Sequence, residues 1–493
     1  MNRRAVFARW FGAPALWGGA LLAVLYIWFY FADPAAPGDD LGLCCIQRWI
    51  GWGDQGFYYR SARALWAGDL DPGRHWYPLG YSILGAPFSF LGSHPFFLVD
   101  LIALVAAYAA FILFARRIGV SSAIAALLFL LTSCADTLVF EQWAIPWNTT
   151  PAAAVIWMLL AVSAGHLQGD RRPFLLGLLA GALPLLRPTD GIVGGICLVW
   201  IAVADLRSGR LSWRDVLLVT AGVAVPVLPY LALHLAIYGL NPSQYMLNSR
   251  LIGFTVHNLV WRAYVLLIEP RQWFFAGQGL IRRMYWLLLG FAGVLWALRR
   301  GGAAALLAAC LIAYGTLFLC YVDLLPTGLW TYKNVHYFKW MFPGFGLLAW
   351  LLLGELFRGR RLAWAALAAV FLLSCIRVTP RPAGPNELAN MVDIPGPAAT
   401  EADTTMEPRL FVVDDLGTAL NVITMRAFPF PSGDGVRVIG LRRDFLGTVK
   451  RGFSPGPDMS AATGPQRRWA EQIGFGFPCW LPAGACKRSA AAP

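Results

Sequence analysis

The stretch DQGFYYRSARALWAGDLDPGRHWYPLGYSILGAPFSFLG, residues 54–92, decides how the rest of the chain is arranged. It follows a first apolar run of membrane length and precedes a long series of others. It combines an acidic residue, several cations and aromatics with a Tyr-Pro-Leu-Gly turn. Its last part, residues 80–92, is apolar but too short to cross a bilayer, so we expect a short helix that lies against the membrane surface.

The composition indicates an all-α polytopic membrane protein. Of the 493 residues, 58% are hydrophobic and 14% are charged, and the mean hydropathy is +0.57. Soluble domains carry about 25% charged residues. The net charge of +13 comes largely from Arg beside apolar runs, which fits orientation in a membrane and not nucleic-acid binding. The nine cysteines form no CxxC pair, so a zinc site has little support.

Apolar runs of membrane length recur about eleven times. They cover approximately residues 14–32, 96–115, 119–134, 150–168, 173–187, 189–206, 215–237, 283–298, 303–322, 340–357 and 362–378. Alternate connections are short and rich in Arg, such as those with Arg116 and Arg171, which predicts that they face the cytoplasm. The N-terminus is then cytoplasmic, and the loop 33–95 and everything after residue 380 lie outside. Counting 80–92 as a further span would break this alternation.

The composition changes near residue 380, which divides the chain into a transmembrane domain (1–379) and a C-terminal region (380–493). The segments 410–415 and 436–441 read as short buried strands. We expect a linker over about 380–407 and then a small extracytoplasmic α/β domain. Cys479 and Cys486 could pair in an oxidising compartment or remain two thiols.

Asp54 is the first candidate catalytic residue, because a carboxylate held at the membrane surface can act as a general base for an acceptor hydroxyl. It could equally be the N-cap of the helix that follows, and the two roles are compatible. Arg60, Arg74 and His75 in the same loop are candidates for phosphate binding or for contacts with lipid headgroups, and Tyr77 begins the turn that follows them.

Further candidates lie in the other polar segments. Glu141 sits between aromatics in the second outer loop and could shape a sugar pocket or be a surface residue. Arg187 lies at membrane depth, where a charged residue is either functional or paired with an opposite charge. In the second case Asp190, three residues later, would be its partner. Lys333, His336 and Lys339 are spaced by three, which places them on one helical face, either as phosphate ligands or as membrane anchors.

These motifs, in this order, resemble the GT-C superfamily of membrane glycosyltransferases, in particular bacterial protein O-mannosyltransferases and the lipid A aminoarabinose transferase. The first outer loop matches the family pattern at Asp54, Tyr58, Ala62, Leu65, Gly68, Tyr77, Pro78, Gly80, Pro87, Phe88 and Gly92. Leu186-Arg187-Pro188 and the stretch from Glu269-Pro270-Arg271 to Gln278-Gly279-Leu280 also look familial. The family's R-Y-L-x-P appears as Lys339-Trp340-Met341-Phe342-Pro343, which keeps the charge but loses the bidentate geometry of Arg.

The resemblance, which covers about residues 14–357, implies a GT-C-like fold and a glycosyltransferase of the bacterial cytoplasmic membrane. Its donor is a polyprenyl-phosphate-linked sugar, its reaction inverts the anomeric carbon, and Asp54 is the base. Cations such as Arg187, Lys333 or Lys339 hold the leaving lipid phosphate, and Arg271 is a further substrate-binding candidate. Some relatives use a divalent metal ion, which leaves the use of a metal here open. The acceptor, whether glycan, lipid or protein, is also open.

Three other classes of function compete with this one. The first is a non-catalytic assembly protein whose C-terminal domain binds a partner. A transporter or flippase of lipid-linked sugars would place charged residues around a central cavity midway through the helices. An O-antigen polymerase or ligase-type enzyme would share the lipid-linked substrate. Such enzymes usually have their site on one large outer loop late in the chain and lack the early loop with an Asp.

Overall fold

A computed structural model of the chain describes residues 12–32, 53–243, 245–247, 254, 256, 259–268, 279–321, 324, 329–330, 333–357, 360–378, 393–395, 409–411 and 436–438. In the first half the helices are α1 (Ala13–Phe31), α2 (Gly53–Trp66), α3 (Leu79–Gly85), α4 (Phe97–Arg117), α5 (Ser122–Cys134), α6 (Thr137–Ala144), α7 (Thr149–Leu167) and α8 (Pro173–Leu186). In the second half they are α9 (Gly191–Arg207), α10 (Trp213–Tyr238), α11 (Leu259–Leu267), α12 (Leu280–Arg283), α13 (Leu287–Arg300), α14 (Gly302–Cys320), α15 (Met341–Leu356) and α16 (Arg360–Val378).

Six of the described helices (α1, α4, α7, α9, α10 and α14) are long and apolar enough to cross a membrane. The count rises to seven if α5 and α6, which are bent by 98° relative to each other, form one span. The runs at 173–187, 283–298 and 340–357 form the shorter helices α8, α13 and α15, of 14, 14 and 16 residues. The predicted number of eleven spans therefore stays a prediction.

Ion pairs bring the arginine-rich connections together at one end of the helix bundle, which we call the arginine end. Arg117, at the end of α4, pairs with Asp170 after α7 at 2.9 Å. Arg171 pairs at 3.0 Å with Asp205 near the end of α9 and at 2.6 Å with Asp215 at the start of α10. Three connections that the sequence assigned to the same side of the membrane thus lie side by side. Which side this is remains a prediction.

Residues 53–92, which we call the site hairpin, lie at the other end of the bundle. Tyr81 in α3 donates a hydrogen bond of 2.6 Å to Asp100 in the first turn of α4, whereas Arg117 closes the same helix. At a rise of 1.5 Å per residue these two ends are roughly 25 Å apart. Helix α3 and the 3₁₀ helix Ala86–Leu91 are too short to span, in agreement with the prediction for residues 80–92.

Close packing fixes the site hairpin against the bundle. A Cβ atom on Gly80 would lie 2.3 Å from the carbonyl oxygen of Leu185, so only glycine fits where α3 meets the end of α8. The carbonyl of His75 accepts a hydrogen bond of 2.6 Å from Tyr238, the last residue of α10. Gly80, the glycine of the Tyr-Pro-Leu-Gly motif, therefore allows the site hairpin to pack against the end of α8, which Arg187 follows.

A buried ion pair joins the connection between α5 and α6 to the short helix α12. Asp136 caps α6 by accepting the amide of Leu138 at 2.9 Å. Its carboxylate also takes two hydrogen bonds from Arg283, at 2.5 and 3.2 Å, and the guanidinium lies 4.6 Å from the ring of Trp330. Both side chains are buried. This bidentate pair fixes α12 against α6.

Three short strands lie in the C-terminal region. β1 (Asp393–Pro395) pairs antiparallel with β2 (Arg409–Phe411), and β2 pairs parallel with β3 (Val436–Val438). β2 and β3 overlap the two predicted strands at 410–415 and 436–441. β1 lies in the segment predicted to be a linker. The sequence does not predict this strand, because three residues are too few to show the alternation of a β-strand. The α/β domain itself stays a prediction, and Cys479 and Cys486 lie outside the described residues.

Candidate active site

Asp54 lies at the start of the site hairpin and is held there by Tyr77. Helix α2 begins at Gly53, so Asp54 is in its first turn and is not the N-cap residue that the sequence suggested. The side chain is half-buried, and its Oδ1 accepts a hydrogen bond of 2.6 Å from the Tyr77 hydroxyl. Burial raises the pKa of the Asp54 carboxyl, and the hydrogen bond from Tyr77 opposes that rise. A carboxylate whose pKa is raised accepts a proton more readily than one in water, as a general base must.

Tyr77 remains the proton donor in this pair. Burial raises the pKa of the Tyr77 phenol well above its usual value, and the charge of Asp54 raises it further. The ring of Tyr77 stacks on Tyr58 at a centroid distance of 4.7 Å and lies 5.3 Å from the ring of Tyr245. The hydroxyl is therefore aimed at Asp54 by aromatic contacts on two sides.

Arg187 lies at the end of α8 in a buried cluster. Its Nη1 donates to the Tyr314 hydroxyl at 3.1 Å and lies 3.6 Å from Asp190, to which Tyr314 also donates at 3.1 Å. The guanidinium lies 4.2 Å from the ring of Tyr337 and 4.6 Å from that of Phe318. The internal pair with Asp190 is thus present, and aromatic faces cover the remaining surface of the cation.

The site hairpin brings Asp54 towards the end of the helix that Arg187 follows. The two residues are 133 positions apart in the sequence (187 − 54), and Gly80 of the hairpin packs on the backbone of Leu185. Burial raises the pKa of Tyr58 well above its usual value, the negative charge of Asp54 raises it further, and the positive charge of Arg187 lowers it.

The residues at positions 333, 336 and 339 all face the segment 141–150, which covers the end of α6 and the start of α7. Lys333 Nζ donates to Glu141 at 2.7 Å, the His336 ring stacks on Trp147 at 4.1 Å, and Lys339 Nζ donates to the Gln142 carbonyl at 2.7 Å. The segment Asn334–Phe338 is a 3₁₀ helix, in which residues three apart lie above one another. Lys333 and Lys339 flank this short helix, and their contacts with residues 141–150 place them on the same side as His336, where the three form one wall of the candidate site.

This wall contains one paired cation and two desolvated groups. Lys333 adopts φ 59°, so among the described residues it is the one non-glycine side chain in the left-handed region, and it carries the ion pair with Glu141. Burial lowers the pKa of His336 well below its usual value, and the nearby charges of Arg187 and Lys339 lower it further. Burial also lowers the pKa of Lys339, whose side chain is 0% exposed, while the charge of Asp100 opposes that fall.

Three of the predicted substrate-binding residues make their side-chain contacts within the site hairpin. Arg60 is exposed and lies 5.5 Å from the ring of Phe57. Arg74 is exposed and pairs with Asp69 at 3.7 Å. His75 is buried, with one ring nitrogen 2.8 Å from Ser61 Oγ and the other 3.0 Å from the Asp69 carbonyl. Arg271 lies outside the described residues.

Arg262 is a candidate residue that the sequence analysis did not select. It lies in α11 and is 1% exposed; its Nη2 donates to the Tyr321 carbonyl, whereas its Nε and Nη1 have no hydrogen-bond partner among the described residues. Burial lowers the pKa of Arg262 to about 10, so it is a cation at neutral pH. The ring of Tyr321 lies 6.3 Å from that of Tyr337, which contacts Arg187. The available signal was a single Arg inside the amphipathic run LVWRAYVLL.

The donor set does not fit a resident metal ion. Within the described ranges no three His, Cys, Asp or Glu side chains are grouped as metal ligands. Asp54 is hydrogen-bonded by a phenol, and Glu141, the second acid considered from the sequence, is neutralised by Lys333. We therefore derive no step through a metal.

The solved structures to which this chain is similar include two membrane enzymes. No family model matches the sequence, and no curated protein matches it. ArnT from Cupriavidus metallidurans, in a crystal structure bound to undecaprenyl phosphate, has a TM-score of 0.49 and 17% identity, over 71% of this chain and 61% of its own. The oligosaccharyltransferase of Archaeoglobus fulgidus, in the apo form, has a TM-score of 0.43 and 14% identity, over 96% of this chain and 65% of its own. The chain thus spans less than two thirds of either protein.

Proposed function

We propose that this chain is a membrane-embedded glycosyltransferase that moves a sugar from a polyprenyl-phosphate donor to an acceptor hydroxyl. The observation that carries the proposal is the Asp54–Tyr77 pair, a half-buried carboxylate with a raised pKa in a hairpin at the end of a helix bundle. Its support from the sequence is the order of motifs in residues 54–92, at Leu186-Arg187-Pro188 and at Lys339-Trp340-Met341-Phe342-Pro343.

The proposed reaction is a single displacement. Asp54 accepts the proton of the acceptor hydroxyl while the acceptor oxygen forms a bond to the anomeric carbon. The bond between that carbon and the phosphate oxygen breaks, and the lipid phosphate leaves with the electron pair. Because the acceptor attacks from the face opposite the phosphate, the anomeric configuration inverts. The hydrogen bond from Tyr77 favours the charged form of Asp54, the form that can accept the proton.

Arg262 is the group that we assign to the leaving phosphate. A guanidinium with two nitrogens that no described residue binds suits a phosphate, and removal from water strengthens that contact. The charge of Arg187 is paired with that of Asp190, and the charge of Lys333 with that of Glu141. These two cations therefore contribute to the electrostatic potential of the site and stabilise the elements that line it. Lys339 and His336 contribute to the wall that faces the donor, and Arg60, Arg74 and His75 belong to the hairpin that carries Asp54.

The buried charges favour a transferase over a transporter. Asp100 lies in the first turn of α4, Arg187 at the end of α8 and Asp190 immediately before α9. These positions are helix ends and not helix centres, where a transport pathway would need them. The proposed site therefore lies at one surface of the bundle, which we assign to the outer face of the bacterial cytoplasmic membrane.

The proposal can be tested with purified chain in nanodiscs, a panel of undecaprenyl-phosphate-linked sugars, and membranes from cells that lack the protein. Mass spectrometry would follow the donor and the membrane glycans. We expect donor to be consumed, undecaprenyl phosphate to be released, and a new sugar mass to appear on a membrane component. Donor that crosses the bilayer of a proteoliposome without being consumed would instead identify a flippase.

A further inference from the structure

Asp100 is a buried acid that the proposed reaction does not use. It lies in the first turn of α4, is 0% exposed, and accepts a hydrogen bond of 2.6 Å from Tyr81 on one oxygen. Its other oxygen, Oδ1, has no hydrogen-bond partner among the described residues. A carboxylate in a membrane helix is costly and is generally retained for a function, so the position of Asp100 calls for an explanation.

A continuous set of aromatic contacts connects Asp100 to Asp54. Tyr81, which Asp100 holds, stacks on Phe96 at 4.2 Å and meets the ring of Tyr58 edge-on at 4.9 Å. Tyr58 in turn stacks on Tyr77 at 4.7 Å, and Tyr77 donates to Asp54. We call Tyr81, Tyr58 and Tyr77 the tyrosine ladder. All three rings are packed on both sides, so a change in the angle of one displaces the next.

We infer that Asp100 is a positioning residue for Asp54, acting through the tyrosine ladder to hold the Tyr77 hydroxyl on the Asp54 carboxylate. This inference rests on the proposed role of Asp54 as the base. Asp100 touches no reacting atom. It holds α3 at a fixed position against α4 through Tyr81. That position sets the geometry of the hydrogen bond between Tyr77 and Asp54 at the other end of the ladder.

Several other groups also affect the ionisation of Asp54. Tyr58 on α2 and Tyr77 in the hairpin face Asp54 directly. The charge of Arg187 and the phenols of Tyr245 and Tyr337 also act on Tyr58. Asp100 accepts its hydrogen bond from Tyr81, and its charge also acts on Lys339 in the wall of the site. A change at Asp100 reaches Asp54 through the ladder, whereas the loss of its charge acts on Lys339, and Tyr81→Phe separates the two because it keeps that charge.

The test measures the protonation of Asp54 without relying on activity. Carbodiimide reacts with protonated carboxyl groups, and peptide mass spectrometry of the full chain in nanodiscs would give the pH midpoint of labelling at Asp54. We expect Asp100→Ala and Tyr81→Phe each to raise this midpoint by about half to one pH unit, because Asp54 loses a hydrogen bond to its charged form. Asp100→Asn keeps an acceptor for Tyr81 and should shift the midpoint less.

Two further variants separate the possible outcomes. Tyr77→Phe should raise the midpoint as Asp100→Ala does, and the double variant should shift it no further. An unchanged midpoint in Asp100→Ala or Tyr81→Phe, with a shift in Tyr77→Phe, would overturn the inference and leave Asp100 a purely structural residue. Tyr81→Phe decides the matter if Asp100→Ala does not fold. Full transfer by Asp54→Asn would refute the proposed function separately, since labelling does not depend on transfer.

Discussion

The Tyr77 hydroxyl donates a hydrogen bond of 2.6 Å to Asp54, across 23 positions of the site hairpin. Burial raises the pKa of Asp54 and this hydrogen bond lowers it, so Tyr77 sets the pH below which the base is protonated. We expect transfer to fall as the pH drops through the raised pKa of Asp54. In Tyr77→Phe that fall should begin at higher pH, by up to about one unit. A pH–rate profile of both proteins measures this, and an unshifted acidic limb would contradict it.

Arg262 should control the binding of the lipid phosphate. Arg262→Gln removes the charge and two free N–H directions, so we expect undecaprenyl phosphate to bind about 10- to 100-fold more weakly, as for the loss of a charge-assisted hydrogen bond. Arg262→Lys should recover only part of the affinity, because an ammonium lacks the guanidinium fork. Native mass spectrometry in lipid titrations measures the affinity. Arg299→Gln, an exposed residue at the arginine end, is the matched control, and an equal loss in that variant would argue against a specific site.

The Asp136–Arg283 pair should be a main stabilising contact between α6 and α12. Asp136→Asn preserves the cap of α6 but leaves a buried guanidinium uncompensated, which costs about 3–5 kcal/mol. Adding Arg283→Met should recover much of that loss, since no unpaired charge then remains. Unfolding in a mixed-micelle titration would show both effects. If the single variant is as stable as the parent, the pair does not hold the two helices together.

The Lys333–Glu141 ion pair should couple the two sides of the site wall. Both side chains are mostly buried, so a double-mutant cycle with Lys333→Met and Glu141→Gln should give a coupling energy of about 1 kcal/mol. The same titration measures it. Additive effects of the two substitutions would show that the pair contributes nothing beyond its separate residues.

Local pattern was sufficient for some features of the fold and not for others. The short apolar segment 80–92 and the common side of residues 333, 336 and 339 followed from length and spacing alone. Asp54 lies in the first turn of α2, two positions after the N-cap position, which is within the usual precision of a helix boundary.

The partners of the charged residues could not be read from the sequence. Lys333 and Glu141 are 192 positions apart, and Arg283 and Asp136 are 147 apart, so no local period connects them. Asp100 and Arg262 were missed for the same reason. Each is a single charge in an apolar helix. Only the fold shows that Asp100 is bound by Tyr81 and that two nitrogens of Arg262 have no partner in the part of the chain that the structure describes.

The measurement that most directly tests the role of Asp54 compares sugar transfer by the parent chain, Asp54→Asn and Asp71→Asn in nanodiscs. Asp54→Asn is nearly isosteric but cannot accept the acceptor's proton, so we expect transfer to fall by about 10²- to 10⁴-fold with binding of undecaprenyl phosphate unchanged. Asp71→Asn keeps the side-chain oxygen that accepts the Gly73 amide and should transfer at the parent rate. Transfer by Asp54→Asn at the parent rate would contradict the account.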